Sequence, residues 1–394
     1  MTISLRAGPI PSRPFLLLSI LAAAGSVAAC DSSMPDEPGP PGAVAPEEIP
    51  LAAAQATPTV FATGLRFPRG FTFGPDGSLY VAEAGSGGDH TTTASQCDQV
   101  APPVGPYANG SSARISRIDT RGRRTTFARG FPSAVNAMGD VAGVADVAFI
   151  GQQLYALVGG GGCSHGIRRT PAGIASVSPS GDWTIVADLS AFVATHPVAQ
   201  LGPDVEPDGS WYSMLAVGGK LFVAEANHGQ VLRVLPATGR VSRVADISAA
   251  QGHVVPTALG VRHGTLFLGN LGTFPVTPRA EKVLRVSRDG TVAVEARGLT
   301  TVLGLDFDPQ GRMYVLETTH GAGFPTPGTG RVVRLNSDGT RDVIVNRLFL
   351  PTAMRFGPDG RLYISNKGFG PPQPGEILRV DVPGVTPAAA IAAR

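Results

Sequence analysis

The sequence predicts an all-β fold, a six-bladed β-propeller of four-stranded blades. Three observations lead to this class. The chain contains 51 Gly and 35 Pro among 394 residues, a density that disfavours a helical bundle and suits short strands joined by turns. A strand–turn–strand motif with an aromatic residue in its second strand recurs along the chain. A third strand, usually with a central arginine, follows each copy.

The first two strands of each blade are predicted by the recurring motif, which begins with residues 70–83. Its aromatic positions are Tyr80, Tyr155, Phe222, Phe267, Tyr314 and Tyr363. They are spaced by 75, 67, 45, 47 and 49 residues. A period in the middle forties, with two longer early units, is typical of four-stranded blades.

The third strand carries the arginine in five of the six units, and residues 174–178 form the strand without it. If Glu225 pairs with Gln230 in a hairpin, Phe222 lies opposite Arg233 on the same face of the sheet. We therefore expect these arginines to cover the aromatic rings, in a packing and cation–π role.

The fourth strands are predicted after five units only, and the sixth unit ends without one. A matching strand stands at 59–65, before the first inner strand. Pairing of this strand with the last blade closes the ring and removes the exposed edge of an open sheet.

The N-terminus predicts export. Arg6 and Arg13 precede an apolar run of about 15 residues, 15–29, too short to span a membrane and typical of a secretory signal. The run ends at Val27-Ala-Ala-Cys30, which resembles a bacterial lipobox, whose cysteine is lipidated. The alternative is an ordinary signal peptide cut nearby.

The predicted organisation is therefore a signal peptide at 1–29, a Pro-rich tether at 30–56 and the propeller at 57–394. We expect an extracytoplasmic protein, in the periplasm or at the cell surface, attached to the membrane only through lipid on Cys30. The formal charge of +2 falls to zero once Arg6 and Arg13 are removed, so charge gives no reason to expect nucleic acid. A monomer is expected.

Two cysteines remain in the folded part, Cys97 and Cys163. Outside the cytoplasm such a pair favours a disulfide over a metal site. The bond would join long loops of neighbouring blades 1 and 2.

The motifs together resemble the ScyD/ScyE family, which is akin to NHL-type and gluconolactonase-type six-bladed propellers. The resemblance is carried by 67–85, 183–192 and 350–360 and extends over about 57–381. It implies an exported propeller and a link to secondary metabolism of the kind that produces scytonemin. It implies fold and compartment more than chemistry.

Gluconolactonase-type propellers hold a divalent metal with Glu, Asn and Asp, some of them just before the inner strands. The corresponding residues here contain no carboxylate or Asn, so that site does not carry over. They are Arg69, Ala145, Tyr212, Thr257, Leu303 and Thr352.

Another set of candidate ligands follows the second strands. Glu225 and His228 repeat the spacing of Glu317 and His320. The further candidates are Glu83, His90, His165 and His253. Carboxylate and imidazole groups from several loops suit one divalent ion, Zn²⁺ or Ca²⁺. The alternative is that the carboxylates cap tight turns and the histidines are solvated.

Two functions stay open. The first is a tethered propeller that binds a small-molecule ligand or a protein partner at one face, as an accessory or scaffold protein. The second is a metal-dependent hydrolase, lactonase-like, or a lyase acting on a small molecule at the central channel.

Overall fold

The protein forms a ring of six sheets around a central axis. The computed structural model describes residues 55–321 and 323–386. The predicted signal peptide, the lipid attachment at Cys30 and nearly all of the tether lie outside these residues. Within the described part of the chain, no helix is long and apolar enough to cross a membrane.

Each blade is an antiparallel sheet, and the first strand of the chain belongs to the last blade. This first strand is β1 (Thr59–Arg66). Blade 1 contains β2 (Pro68–Phe73), β3 (Leu79–Glu83), β4 (Ala108–Ile118), β5 (Arg124–Val135) and the added β6 (Val141–Ala142). Blade 2 contains β7 (Val144–Ile150), β8 (Gln153–Val158), β9 (Gly173–Val177) and β10 (Trp183–Asp188). Blade 3 contains β11 (Trp211–Val217), β12 (Lys220–Glu225), β13 (Gln230–Leu235) and β14 (Arg240–Asp246).

The remaining three blades repeat the same plan. Blade 4 contains β15 (Pro256–Arg262), β16 (Thr265–Asn270), β17 (Glu281–Val286) and β18 (Val292–Leu299). Blade 5 contains β19 (Val302–Phe307), β20 (Met313–Glu317), β21 (Gly330–Leu335) and β22 (Arg341–Leu348). Blade 6 contains β23 (Ala353–Phe356), β24 (Leu362–Asn366), β25 (Pro374–Val380) and β1.

The predicted ring closure is confirmed. Strand β1 pairs antiparallel with β25, with Thr59 opposite Arg379 and Leu65 opposite Gly375. Leu65 is buried in the apolar cluster between blades 6 and 1. The N-terminal strand therefore both completes a sheet and seals the last blade interface.

The core is divided among the six blade interfaces. A separate cluster of buried apolar side chains lies between each pair of neighbouring blades. The recurring aromatic residues take part in this packing: Tyr314, for example, is fully buried and lies edge-on to Phe356 of the next blade, with ring centroids 4.9 Å apart. The motif therefore recurs because every blade fills the same space against its neighbour.

The predicted register is confirmed, but the expected role of the arginines is wrong in part. Phe222 lies opposite Arg233, and Glu225 lies opposite Gln230. Of the five recurring arginines, Arg379 alone is over an aromatic ring in the described structure, and that ring is Phe61 of β1. Arg117 instead pairs with Asp76 at 2.7 Å, since a carboxylate in the preceding turn offers a stronger partner than a ring.

Two short helices, α1 (Leu189–Thr195) and α2 (Ile247–Gln251), stand between blades and were not predicted. Each begins after an aspartate whose carboxylate accepts the backbone N–H three residues on, Asp188 from Ala191 and Asp246 from Ala249. This is an ordinary N-cap, so the signal was present in the sequence.

Candidate functional site

The loops between the second and third strands lie at the same end of the blades as the connections from one blade to the next. We call this surface the loop face. All the predicted Glu and His candidates lie on it or at its margin, as expected. The question for function is which of their polar atoms are available to a ligand.

The carboxylates at the ends of the second strands are used by the protein itself. Glu225 is fully buried and accepts the N–H groups of Ser210 at 2.9 Å, Asn227 at 3.0 Å and His228 at 2.9 Å. Burial raises the pKa of Glu225, and these contacts with the charge of His228 oppose the rise. The carboxylate thus holds the chain that enters blade 3.

Glu317 in blade 5 and Glu83 in blade 1 also accept backbone N–H groups of the chain that enters the blade. Glu317 accepts the N–H of Thr300 at 2.6 Å and pairs with Arg331 at 2.5 Å. Glu83 accepts the N–H of Arg66 at 2.6 Å and pairs with Arg114 at 2.7 Å. The turn-capping alternative therefore describes these carboxylates.

The histidines are dispersed over the loop face. His90 is exposed and joins Asn109 through backbone bonds of 3.0 and 2.7 Å. His228 is buried, and its Nε2 lies 3.1 Å from the Glu206 carbonyl. His320 is exposed, with Nε2 3.1 Å from Nη1 of Arg331. Burial and then the charge of Arg331 lower the pKa of His320.

His253 lies beside Asp204, with Nε2 and Oδ1 3.0 Å apart. The contact is an ion pair without hydrogen-bond geometry at either ring nitrogen. The carboxylate of Asp204 raises the pKa of His253, against the effect of burial.

These side chains do not fit a divalent ion. Among the described residues, no three His, Cys, Asp or Glu side chains converge as metal ligands. The oxygens of Glu225 and Glu317 already accept hydrogen bonds, and the guanidinium beside His320 repels a cation. The residues before the inner strands add no carboxylate.

The predicted disulfide is confirmed. Cys97 and Cys163 are bonded, with Cα atoms 6.2 Å apart. The bond joins the long loop of blade 1 to the glycine-rich loop of blade 2. Thr92 adds a hydrogen bond to the Cys163 carbonyl at 2.6 Å. One side of the loop face is therefore held rigid.

Beside the disulfide lies a group of charged and aromatic side chains that the sequence alone does not bring together. We call it the polar cluster: Arg69, Tyr107, Asp140, His165 and Glu206. Nε2 of the fully buried His165 lies 3.1 Å from Oε2 of Glu206, and the Tyr107 hydroxyl donates to the same oxygen at 3.3 Å. Burial lowers the pKa of His165, because it disfavours the charged imidazolium. The contact with Glu206 and the charge of Asp208 have a larger, opposite effect, so the pKa of His165 is raised.

The other half of the polar cluster reaches the mouth of the channel. Arg69 donates to the Val141 carbonyl at 2.7 Å. Burial raises the pKa of Asp140, and the charge of Arg69 opposes that rise. Tyr212, beside Arg69, lines the channel and donates its hydroxyl to the Thr352 carbonyl at 3.1 Å.

The channel itself is nearly filled. Its cavity has a volume of about 20 Å³, room for about one water molecule. Arg355 crosses it, donating to the carbonyls of Phe71 at 2.7 Å and Met214 at 3.2 Å and lying 3.4 Å from the carboxylate of Asp146. This cavity is therefore too small to hold a ligand larger than about one water molecule.

Sequence reasoning found His165 but missed Tyr107, Asp140 and Glu206. The signal for Glu206 was the long connection 189–210 between blades 2 and 3, since long loops in compact domains commonly carry function. No comparable signal marks Asp140, which stands in a turn of ordinary composition.

The comparisons with known proteins agree with the fold. No family model matches the chain, and no curated protein matches its sequence. A calcium-binding protein, regucalcin, from Agrobacterium tumefaciens is 16% identical, with a TM-score of 0.53 over 84% of this chain and 96% of its own. A Thermus thermophilus protein assigned as an oxidoreductase (glucose dehydrogenase) is 17% identical, with a TM-score of 0.51 over 83% of this chain and 100% of its own.

A gluconolactonase from Xanthomonas campestris is a weaker likeness, 12% identical with a TM-score of 0.47 over 85% of this chain and 97% of its own. Likenesses at such low identity concern the fold alone, because one fold hosts many activities. The likeness to the regucalcin and to the Thermus thermophilus protein extends over most of each chain and concerns the propeller fold alone.

Proposed function

We propose that the protein is an exported, lipid-anchored propeller that binds a small polar molecule at the mouth of its channel. The observation that carries this proposal is the polar cluster, where a buried His165–Glu206 pair stands beside Arg69 and Asp140. Charged groups that are partly removed from water are costly to assemble, and their concentration at one place on the loop face favours a binding role.

The chemistry of the cluster defines the ligand class. Asp140 and Glu206 accept hydrogen bonds, Arg69 donates them, and the side chain of Glu206 keeps 13% of its surface exposed. A hydroxylated or amino-bearing small molecule with one acceptor group matches this set. The disulfide supports the proposal, because loops fixed before binding lose less entropy when the ligand arrives.

Ligand binding is tested by calorimetry with sugars, polyols and amino acids on the chain from residue 30 onward, carrying Cys30→Ser. We expect a compound of this class to bind the parent protein and to lose at least tenfold in affinity with Glu206→Gln or Asp140→Asn. Glu295→Gln is the matched control, because Glu295 lies on the outer strand β18 and pairs there with Arg262 and Arg285. Equal binding by all variants, or no binding by any of these compounds, would contradict the proposal.

Anchoring is tested separately in cells. Labelling with a radioactive fatty acid is expected to mark the full chain and to place it in the membrane fraction. Cys30→Ala is expected to abolish the label. A labelled Cys30→Ala protein, or an unlabelled parent chain, would contradict the lipid anchor.

The competing hydrolase or lyase function requires a metal, and the candidate Glu and His side chains do not fit one. It would gain support from one tightly held ion per chain that is lost in His228→Ala and His320→Ala. Elemental analysis of the untagged protein measures this directly. The calcium binding described for regucalcin makes Ca²⁺ the first ion to add back.

A further inference from the structure

Three phenylalanines from neighbouring blades meet on the loop face, away from the polar cluster. Phe274 of blade 4 lies 5.2 Å from Phe324 of blade 5, and Phe324 lies 5.6 Å from Phe369 of blade 6, measured between ring centroids. The ring planes are tilted by 51° and 35°. We call these three side chains the aromatic platform.

The platform is open to solvent. Phe274 is 61% exposed, and Phe324 and Phe369 are both only partly buried. A single exposed aromatic residue needs no explanation, but a contiguous group contributed by three separate loops marks a binding surface. These rings are not among the residues of the apolar clusters between blades 4 and 5 and between blades 5 and 6.

Prolines make the surface around the rings poor in hydrogen-bond donors. Pro275 and Pro325 directly follow two of the phenylalanines, and Pro371 and Pro372 come shortly after the third. Proline lacks a backbone N–H and fixes its own φ angle. The platform is therefore stiff and suits a flat apolar ligand better than a polyol, which needs donors and acceptors around its whole rim.

The loop that carries Phe274 also carries a positively charged side chain. Arg279 is in the same loop as Phe274, and its guanidinium makes no ion pair or hydrogen bond with any described residue. Arg331 pairs with Glu317, whereas the guanidinium of Arg341 donates to the carbonyls of Arg297 and Gly298 and feels the charge of Glu317 only at a distance. The group of three arginines and one carboxylate has an excess of two positive charges.

The neighbouring charged pair does not cancel this excess. Burial raises the pKa of Glu281 to about 7, and the charge of Lys282 opposes the rise. The adjacent Glu281 and Lys282 therefore add no net negative charge to these loops. The loops of blades 4 and 5 attract an anion.

We propose that the aromatic platform and Arg279 form a binding site for a small aromatic anion, such as an aromatic carboxylate or sulfonate. The flat ring contacts the tilted phenylalanines by offset or edge-to-face packing. The acidic group is bound by the free guanidinium, which presents a fork of donors that matches it. This site is separate from the polar cluster and does not depend on the function proposed there.

The test uses naphthalene-2-sulfonate, with calorimetry on the chain from residue 30 onward carrying Cys30→Ser. Two further probes separate the contributions: 2-naphthol has the ring without the charge, and cyclohexanesulfonate has the charge without the aromatic ring. We expect naphthalene-2-sulfonate to bind at least tenfold more tightly than either, and its affinity to fall as salt is raised.

The variants locate the site. Phe274→Ala and Phe324→Ala are expected to weaken naphthalene-2-sulfonate about tenfold, and the high exposure of Phe274 makes its replacement safe for folding. Arg279→Gln is expected to weaken the sulfonate about tenfold and to leave 2-naphthol unchanged. Arg288→Gln is the matched control, an exposed arginine in the turn of blade 4 on the opposite face.

Several results would overturn the proposal. They are no binding of naphthalene-2-sulfonate at millimolar concentration, equal affinity for the neutral probe, and unchanged affinity in both Phe274→Ala and Arg279→Gln. Loss of binding in Glu206→Gln would also overturn it, because the anion would then occupy the polar cluster.

Discussion

Arg355 is the charged group that holds the centre of the ring, and its replacement by methionine tests that role. The variant removes bonds to the carbonyls of Phe71 and Met214 and leaves the buried carboxylate of Asp146 without its cation. Removing one partner of a buried pair costs about 3–5 kcal/mol in the free energy of unfolding. We expect a loss of that size at pH 8.

The loss is expected to shrink on acidification. Burial raises the pKa of Asp146 to about 6 in spite of the charge of Arg355. Because this folded-state pKa lies above the unfolded value, protonation between about pH 6 and pH 4 stabilises the folded protein. In Arg355→Met the pKa of Asp146 rises further, because its cation is gone. Each unit by which this pKa rises means that about 1.4 kcal/mol of the lost stability is regained when Asp146 is protonated at low pH.

Denaturant unfolding at pH 8 and pH 5 measures the effect. The expected result is a loss that is smaller at pH 5 by at least about 1 kcal/mol. Arg361→Met is the control, since its guanidinium is 42% exposed and pairs with the carboxylates of Asp359 and Asp381 at the surface, a contact that contributes about 0–1 kcal/mol. An equal loss at both pH values would refute the role assigned to the Arg355–Asp146 pair.

Three further predictions concern stability. Replacing Cys97 and Cys163 together by serine removes a bond across 66 residues and is expected to cost about 2–4 kcal/mol, seen as a lower thermal midpoint; an unchanged midpoint in reductant would contradict this. Leu65→Ala in the closing strand, where Leu65 is 1% exposed, is expected to cost about 2–5 kcal/mol, against less than about 0.5 kcal/mol for the 60% exposed Val60→Ala. Glu225→Ala leaves the N–H groups of Ser210, Asn227 and His228 unpaired, the last two of them buried, and is expected to cost about 2–4 kcal/mol by denaturant unfolding. A neutral effect would mean that Glu225 is free for another role.

Much of the fold could be predicted because each blade is specified locally. A strand alternates its faces every second residue, so the repeated aromatic residues fix which face is buried and which arginine lies opposite. The pairing of Phe222 with Arg233 followed from that rule. Counting inner and outer strands then required the closing strand at the N-terminus.

The site could be predicted only in part. The positions of Glu225 and Glu317 on the loop face followed from the repeat, but their bonding did not. Whether a carboxylate is free depends on N–H groups that arrive from 15 and 17 residues earlier in the chain, Ser210 and Thr300. The repeated spacing therefore reflected a repeated turn and not a repeated ligand.

The sequence by itself determined the number of blades, their register and the ring closure, because these depend on periodic patterns and neighbouring strands. It also indicated the disulfide, because two cysteines remain in a folded part that is expected outside the cytoplasm. Only the tertiary structure decided which side chains meet across blades. The aromatic platform gathers residues from three loops, and the polar cluster gathers Arg69 of β2 and residues of four loops. No local sequence pattern predicts these contacts, because the distance between the loops of neighbouring blades is set by the curvature of the closed ring.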